Sequence, residues 1–390
     1  MAVYDAPKNS YSDTGNAVRA IADVMHLIDP VDTPLLAALG GLDGARSKFR
    51  IRQNATKIEW VEDAYAPLVT TATNGTSGTV AIATDTLSFT VADGSIFKAG
   101  QIIGLPDGTV AANAGVLEYM HVASVSGDVV TVTNRTPFGG TNATHLGTCS
   151  IEIVGMARIE GATASFDALV DISEPYNYTS IFQKGLKITG TEMVLDEYGY
   201  GDVWTYQANK AMPEMFRLIE KQIFHGIRAA GSATLPRSMG GLGTFITGNT
   251  VNAGNAIAKT DIDNLAEYIY LDGGMPDMLV LNPAVSNDLR ALLDTSSFVT
   301  VYQENTQYGM KAIKSVNTQY GSLRLIEDRF CPVGDAWMLD SGKVGLYTLR
   351  PFAWRELGQT GDFRPAELVG EVSLAVANDS AHGRIYGITS

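Results

Sequence analysis

LRLIEDRFCPVGDAWMLD (Leu323–Asp340) and ELVGEVSLAVANDSAHGRIYGI (Glu367–Ile388) read as strands of one long antiparallel sheet with a single buried face. In the second stretch Leu368, Val372, Leu374 and Val376 fall on one side, and Glu367, Glu371 and Ser373 on the other. A period of two is the mark of a half-buried strand. Asn378-Asp379-Ser380 supplies turn chemistry, after which the chain returns as Ala381–Ile388. Neither stretch has the look of a catalytic site. A chain that ends in a sheet and shows no chemistry points to a building block.

Upstream of this sheet the pattern is mixed α and β. Asp261–Leu271 reads as a helix ended by Gly273-Gly274, and Met278–Leu281 as a short buried strand. Asn282-Pro283 supplies a cap and a first-turn proline for a helix over Ala284–Leu293. Strands are expected near Ala312–Asn317, Leu323–Glu327 and Ala336–Leu339. Before them Asp202 caps a long helix to about Arg228, with an apolar stripe of Trp204, Ala208, Ala211, Met215, Ile219, Ile223 and Ile227. Pro213 interrupts that stripe, which predicts a kink or break near Asn209. Thr189-Gly190-Thr191-Glu192 has the spelling of a capping box and predicts a short helix over Thr191–Glu197.

Residues 70–150 differ in composition, being rich in Thr, Gly, Ala, Val and Asn and poor in Lys and Arg. Short strands recur there: Thr86–Val91, Gln101–Leu105, Val116–Val125, Val129–Thr133 and Cys149–Gly155, with a hairpin turn at Ser126-Gly127-Asp128. This reads as a small all-β module, barrel or sandwich. Ahead of it Ile58 and Trp60 share one face of a strand, opposite Lys57 and Glu59. Nearer the start, residues 15–28 carry helical spacing, Asp29-Pro30 ends that helix, and Pro34 opens a short one stopped by Gly40-Gly41.

At 390 residues the chain exceeds one core, so two or three domains are expected. A net charge of −14 argues against a dedicated nucleic-acid surface, which needs clustered Lys and Arg. Two distant cysteines, Cys149 and Cys331, indicate no disulfide framework and a reducing compartment. MAVYDAPKNSYSD has no basic or apolar region of a secretory signal, and no run approaches the ~18 apolar residues of a membrane span.

Site chemistry is sparse. His26, His121, His145, His225 and His382 are scattered without metal-ligand spacing, so neither a metal nor a cofactor is expected. Met239-Gly-Gly-Leu-Gly243 lacks the Lys-Ser/Thr of a phosphate loop and reads as a flexible connection after the long helix. Gly75-Thr76-Ser77-Gly78-Thr79 has the wrong register for a nucleophile elbow. The basic stripe Arg46, Lys48, Arg50 and Arg52 puts four cations on one strand face within ~20 Å, at roughly 3.3 Å per residue. Three readings stay open: a solvated face, an intersubunit contact with carboxylates such as Glu367 or Glu371, or an inner wall touching DNA.

The order of arm, β excursion, long helix, α/β region and terminal sheet resembles the major capsid proteins of tailed bacteriophages with the Hong Kong 97-type fold. The likeness is to the subfamily with DP-x-DTP, here Asp29–Pro34, and EW-x-x-D, here Glu59–Asp63. NYTSIFQKGLKITGTE (Asn177–Glu192), RLIEKQIFHG (Arg217–Gly226), MGGLGTFI (Met239–Ile246) and LRPFAWRELGQTGDF (Leu349–Phe363) also resemble it. The resemblance implies an α+β capsid fold with an inserted all-β barrel or sandwich. It implies an N-terminal arm at 1–44, extended-loop legs at 45–66 and 151–176, and an inserted domain at 67–150. The peripheral domain with its spine helix is then 177–233 and 342–390, and the axial domain 234–341. The implied function is a non-enzymatic head shell of pentamers and hexamers around double-stranded DNA. It would mature from a procapsid assembled in the host cytoplasm, with scaffold, portal and decoration proteins as further partners and DNA in loose contact only. Trp60, Glu367, Glu371 and the basic stripe Arg46, Lys48, Arg50 and Arg52 are the candidate intersubunit contacts. The alternatives are an encapsulin-like cargo shell and, from another class, a β-rich carbohydrate-binding protein or hydrolase.

Overall fold

The computed structural model of the chain describes residues 32–41, 54–73, 79–80, 87–106, 117–133, 145–146, 149–158, 160–161, 172–195, 201–295 and 315–389. The helix expected over 15–28 and the basic stripe Arg46, Lys48, Arg50 and Arg52 lie outside the described residues. The chain divides into two compact units, Val61–Ser173 and the remainder.

The Val61–Ser173 unit contains β2 (Val69–Thr71), β3 (Thr79–Val80), β4 (Leu87–Thr90), β5 (Gln101–Pro106), β6 (Leu117–Ser126), β7 (Val129–Thr133), β8 (His145–Leu146) and β9 (Ser150–Met156), following β1 (Lys57–Glu59) of the other unit. Six of these form one antiparallel sheet in the order β2-β9-β5-β6-β7-β4. An Ala72–Val91 bridge joins the edge strands, so the sheet closes into a small barrel. Phe89, Ile103, Leu105, Met120, Val122, Val130, Val132 and Ile151 fill it. Alternation produces this directly: in β6 Met120 and Val122 point inward while Tyr119 and His121 are only partly covered. Gly127, at φ +59°, makes the β6–β7 turn at the expected place.

The other unit adds α1 (Pro34–Ala38), β10 (Tyr176–Tyr178), β11 (Ser180–Thr189), α2 (Val203–His225), α3 (Leu242–Phe245), β12 (Thr250–Asn252), α4 (Lys259–Leu271), β13 (Met278–Leu281), α5 (Pro283–Thr295), β14 (Ser315–Thr318), β15 (Gly321–Glu327), β16 (Ala336–Leu339), β17 (Val344–Glu356), β18 (Phe363–Val376) and β19 (Gly383–Tyr386). A six-stranded mixed sheet runs β12-β19-β16-β13-β15-β14, and a three-stranded antiparallel sheet runs β11-β18-β17. The mixed sheet is covered on both faces. Leu279, Leu281 and Met338 pack with Ile262, Leu265 and Ile269 of α4 and Val285 and Leu289 of α5. Met278, Val280, Trp337 and Leu339 share a second core with α2 and β18. That is why MLVL and AWML are apolar at every position.

The two stretches that open the sequence reading therefore belong to different sheets. Leu323–Asp340 contributes β15 and β16 to the mixed sheet, whereas β18 is the middle of the three-stranded one. Nor does the chain return beside β18. Asn378, in the left-handed region at φ +56°, turns it into a 3-10 turn over Asp379–Ala381, and β19 then pairs with β16 and β12.

The long helix begins where expected, with Asp202 accepting from the Trp204 and Thr205 amides at 3.1 and 3.3 Å. Its buried face is Ala211, Met215, Ile219, Ile223 and Phe224, but Glu220 is buried among them, and Ile227 lies past the Gly226 cap, 77% exposed. The break expected at Pro213 is absent: α2 runs as one element through it. Asn209, whose carbonyl loses its helical donor, is exposed, so water can serve that carbonyl. Residues 191–195, the described part of the helix expected over Thr191–Glu197, form hydrogen-bonded turns instead, with Met193, Val194 and Leu195 39%, 83% and 55% exposed, so no packing holds a helix there.

Within the main unit, β1 pairs with β10 so that Glu59 faces Tyr176, and the Trp60 N–H donates to the Pro175 carbonyl at 3.1 Å. The two ends from which the 61–173 excursion departs are thus neighbours. Replacing residues 61–173 by an Asn-Gly turn should convert β1 and β10 into a hairpin. The shortened chain is expected to unfold cooperatively, with its midpoint within about 5 °C of the main unit's transition in the full chain. Differential scanning calorimetry checks this, and loss of a cooperative transition would contradict it.

Candidate functional site

β18 is buried on both faces from Leu368 to Val376, which corrects the reading of a one-sided strand. Its even positions, Leu368, Val372, Leu374 and Val376, join the α2 core. The odd positions are covered too: Ala375 and Ala377 pack with Ile58, Trp60 and Tyr347. Glu371 and Ser373, 4% and 0% exposed, therefore sit inside the protein and need partners.

Glu371 receives them from three elements. Arg350 Nε on β17 donates to Oε2 at 2.9 Å, and the Thr179 hydroxyl donates to Oε1 at 2.6 Å. Arg237, in the loop after α2, donates to Oε1 through Nη2 and to the Thr179 carbonyl through Nε, the latter at 2.9 Å. Burial pushes the Glu371 carboxyl up, but the Thr179 and Arg350 hydrogen bonds and the Arg237 charge outweigh it and hold it below the ordinary range.

Residues 177–180 extend this junction. The Asn177 amide donates to the Leu374 and Gly240 carbonyls at 2.7 and 3.1 Å, and its oxygen accepts from the Gly240 N–H at 2.8 Å. Ser180 Oγ accepts from the Met239 N–H at 2.7 Å and from Gln222 of α2 at 3.0 Å. Ser373 closes the group by donating to the Tyr178 carbonyl at 2.8 Å. The Met239–Gly243 segment is accordingly seated rather than a flexible connection. A Cβ on Gly241 would lie 2.6 Å from the Ile223 carbonyl oxygen, and one on Gly226 2.6 Å from that of Met239.

Chemically the junction is a latch. The Glu371 oxygens are saturated by cations and a hydroxyl, and Thr179 is 0% exposed, beyond reach of a substrate. Among the described residues no group of three or more His, Cys, Asp or Glu side chains could hold a metal ion. Of the residues singled out from sequence, Glu371 finds the expected cations within its own chain instead of on a neighbour. Trp60, 6% exposed, packs against Phe245 with ring centroids 5.6 Å apart, so it too is engaged internally. Glu367, partly exposed, accepts from Gln183. Arg237, Arg350, Thr179 and Asn177 escaped the sequence reading. The one signal for them was an acidic residue inside an otherwise apolar strand, which demands a partner without naming it.

The SU10 major capsid protein family matches residues 7–389, and the chain belongs to that family. The major capsid protein of Escherichia phage Phieco32 is 22% identical over 284 residues, covering 59% of this chain and 80% of that protein. The cyanophage A-1(L) capsid subunit shares the fold with a TM-score of 0.56 at 11% identity, covering 98% of this chain and 100% of that one. The SrpI encapsulin of Synechococcus elongatus PCC 7942 has a TM-score of 0.44 at 15% identity, over 56% of this chain and 78% of its own. The fold is the Hong Kong 97 type, and the chain is a structural component of a phage virion that associates with copies of itself.

Because the folded-state pKa of Glu371 is depressed, its stabilisation is present above the ordinary carboxyl value of 4.5 and lost as pH falls through the folded value. Glu371→Gln is expected to cost about 2–3 kcal/mol at neutral pH, leaving two guanidinium groups underpaired. The difference from wild type should shrink on acidification, as pH falls below 4.5 toward the folded value. Urea unfolding of both chains at pH 7 and near pH 4 checks the magnitude and its direction.

Proposed function

We propose that this capsid subunit builds the head of a tailed phage as pentamers and hexamers, closing an icosahedral or prolate shell around double-stranded DNA in the host bacterial cytoplasm. The observation that carries the reading is the family match over residues 7–389, nearly the whole chain. Large apolar side chains left open to solvent on both units support it. Val61, Tyr65 and Leu68 are 68%, 101% and 64% exposed, and Ile181, Leu218 and Ile227 are 54%, 55% and 77% exposed. Such surface is normally covered by a partner.

In this reading the arm is 1–44, and legs 45–66 and 151–176 carry the inserted β domain 67–150, with β9 continuing its sheet into the second leg. The peripheral domain is 177–233 and 342–390, the axial domain 234–341, and β19 crosses back into the axial sheet. The chain acts without catalysis. Neighbouring copies are its main partners, scaffold, portal and decoration proteins come next, and DNA makes loose contact only. Ordering an arm and a loop costs conformational entropy that contacts with neighbours offset, and interfaces of this kind bury above ~2,000 Å². Glu367 and the stripe Arg46, Lys48, Arg50 and Arg52 are assigned to those contacts, because four cations at strand spacing in the sequence would be relieved by acceptors on another copy.

Electron microscopy of the purified chain should show uniform closed shells. Reversing Arg50 and Arg52 to Glu is expected to lower shell yield by roughly tenfold or more, while leaving the unfolding midpoint of the unassembled chain unchanged. High salt should weaken wild-type assembly. Normal shells from the doubly reversed chain would remove the stripe from the mechanism, and the absence of any shell from wild type would count against the reading as a whole.

A further inference from the structure

A second buried carboxylate has another carboxyl for its neighbour. Glu220 on α2 and Asp328, just after β15, are both 0% exposed. Glu220 reaches the start of α1, where Oε1 accepts from the Leu35 N–H at 2.8 Å and Oε2 from the Leu36 N–H at 3.1 Å. Thr33, at the N-cap position, makes no side-chain cap, so Glu220 serves the orphan amides in its place. Leu35, Leu36 and Leu39 then pack into the α2 core, 0%, 4% and 3% exposed. The described part of the arm is therefore fastened within its own chain, not spent wholly on neighbours. On the other carboxyl, Asp328 Oδ1 accepts from the Phe330 N–H at 2.8 Å, while Oδ2 is buried with no partner.

An orphan acceptor beside a second buried carboxyl is explained by a proton. If both groups were ionised, two like charges would face each other with little solvent between them. One proton on Glu220 removes that repulsion and gives Asp328 its missing donor. Burial, and after it the Asp328 hydrogen bond and charge, push Glu220 up to about 9 against the Leu35 and Leu36 amides, which favour its anion, and burial raises Asp328 as well. The surroundings fit. Asp32, at the entry to α1, adds to the negative potential on Asp328, and Arg329 only partly offsets it. Arg217 on α2 lies over the Phe330 ring, 5.9 Å from its centroid. Burial, with the charges of Asp328 and Asp335, keeps Cys331 a neutral thiol.

We propose that Glu220 and Asp328 form a proton-binding site that fastens arm residues 32–41 to the main unit, tight while the pair shares one proton and weakened when that proton leaves. Docking dries the pair, and burial is the largest cause that raises Glu220, so docking favours the protonated pair at pH values below about 9. Anchoring therefore weakens as pH rises toward that value, by at most tenfold per pH unit, and levels off above it. The sign is opposite to that of Glu371. The inference does not depend on shell formation, because the segment and both carboxyls lie in one chain.

Hydrogen exchange read by mass spectrometry on the full-length, unassembled chain tests it. Protection factors of the 32–41 peptide, corrected for the intrinsic pH dependence of exchange, are followed from pH 6.5 to 9.5, with a β13 peptide as internal reference. Wild-type arm protection is expected to fall several-fold, and by at most about 50-fold, between pH 7 and 9 while the reference holds. Asp328→Asn keeps the acceptor for Phe330 and gives Glu220 a donor that cannot titrate, so its arm protection should change by less than about threefold over the same range. Should that variant not fold, Glu220→Gln supplies the same donor to Asp328 from the other side and is read the same way. A flat wild-type profile, or an equal slope in the Asp328→Asn variant, would overturn the proposal.

Discussion

The two-sided burial of β18 is the constraint from which the rest of the main unit follows. One face of the strand must meet α2, and it does so through Leu368, Val372 and Leu374. The other face then has to be roofed by the root of the excursion, β1 and β10, and by the chain leaving α2. A roof over Glu371 and Ser373 cannot be apolar, because a buried carboxylate without partners costs several kcal/mol. Hence the hydroxyls, the amide and the guanidinium groups of residues 177–180, 237 and 350. The glycines follow from the same crowding: a Cβ on Gly370 would come within 2.6 Å of the Phe352 ring, and one on Gly241 within 2.6 Å of a helix carbonyl.

Much of this was legible in the sequence. The barrel strands were readable as strands, and alternation explains why Phe89, Val130 and Val132 turn into the small core. The start of α2 was equally plain, because an Asp followed by a long apolar stripe is a local signal. β18 failed for a physical reason. An acidic residue every few positions in a strand imitates a solvent face, and only the partners reveal otherwise. Arg237 lies 134 residues from Glu371, a separation no periodicity reports. The route of β19 was hidden in one backbone angle at Asn378, which sends the chain to another sheet instead of back along β18. β13 and β16 could be read as buried but not placed, since a strand covered on both sides carries no face information.

Pro213 and Glu220 show how tertiary packing overrules local rules on a single helix. The proline was expected to break α2, yet Ala211 and Met215, on either side of it, are both buried in the core and hold the helix continuous. Glu220 was passed over because it falls beside the stripe, where a charge usually reaches water. Its neighbours at three and four residues on, Ile223 and Phe224, are both buried, and that was the available hint.

Glu371 and Glu220 are the same residue type, both closed off from solvent, with opposite electrostatic outcomes. Their burial acts in one direction on both, favouring the neutral acid. Two things separate them: Glu220 lies deeper, and the company differs, with two guanidinium groups and a hydroxyl for Glu371 and a second carboxyl for Glu220. The first is stable as an anion and weakens toward acid, from the ordinary value of 4.5 downward. The second is stable as an acid and weakens toward alkali, over a range that ends at about 9. The junction that roofs β18 and the site that holds the arm thus bracket neutral pH from its two sides. A subunit built this way can loosen its arm without loosening its sheet, because the proton that matters to one has no bearing on the other.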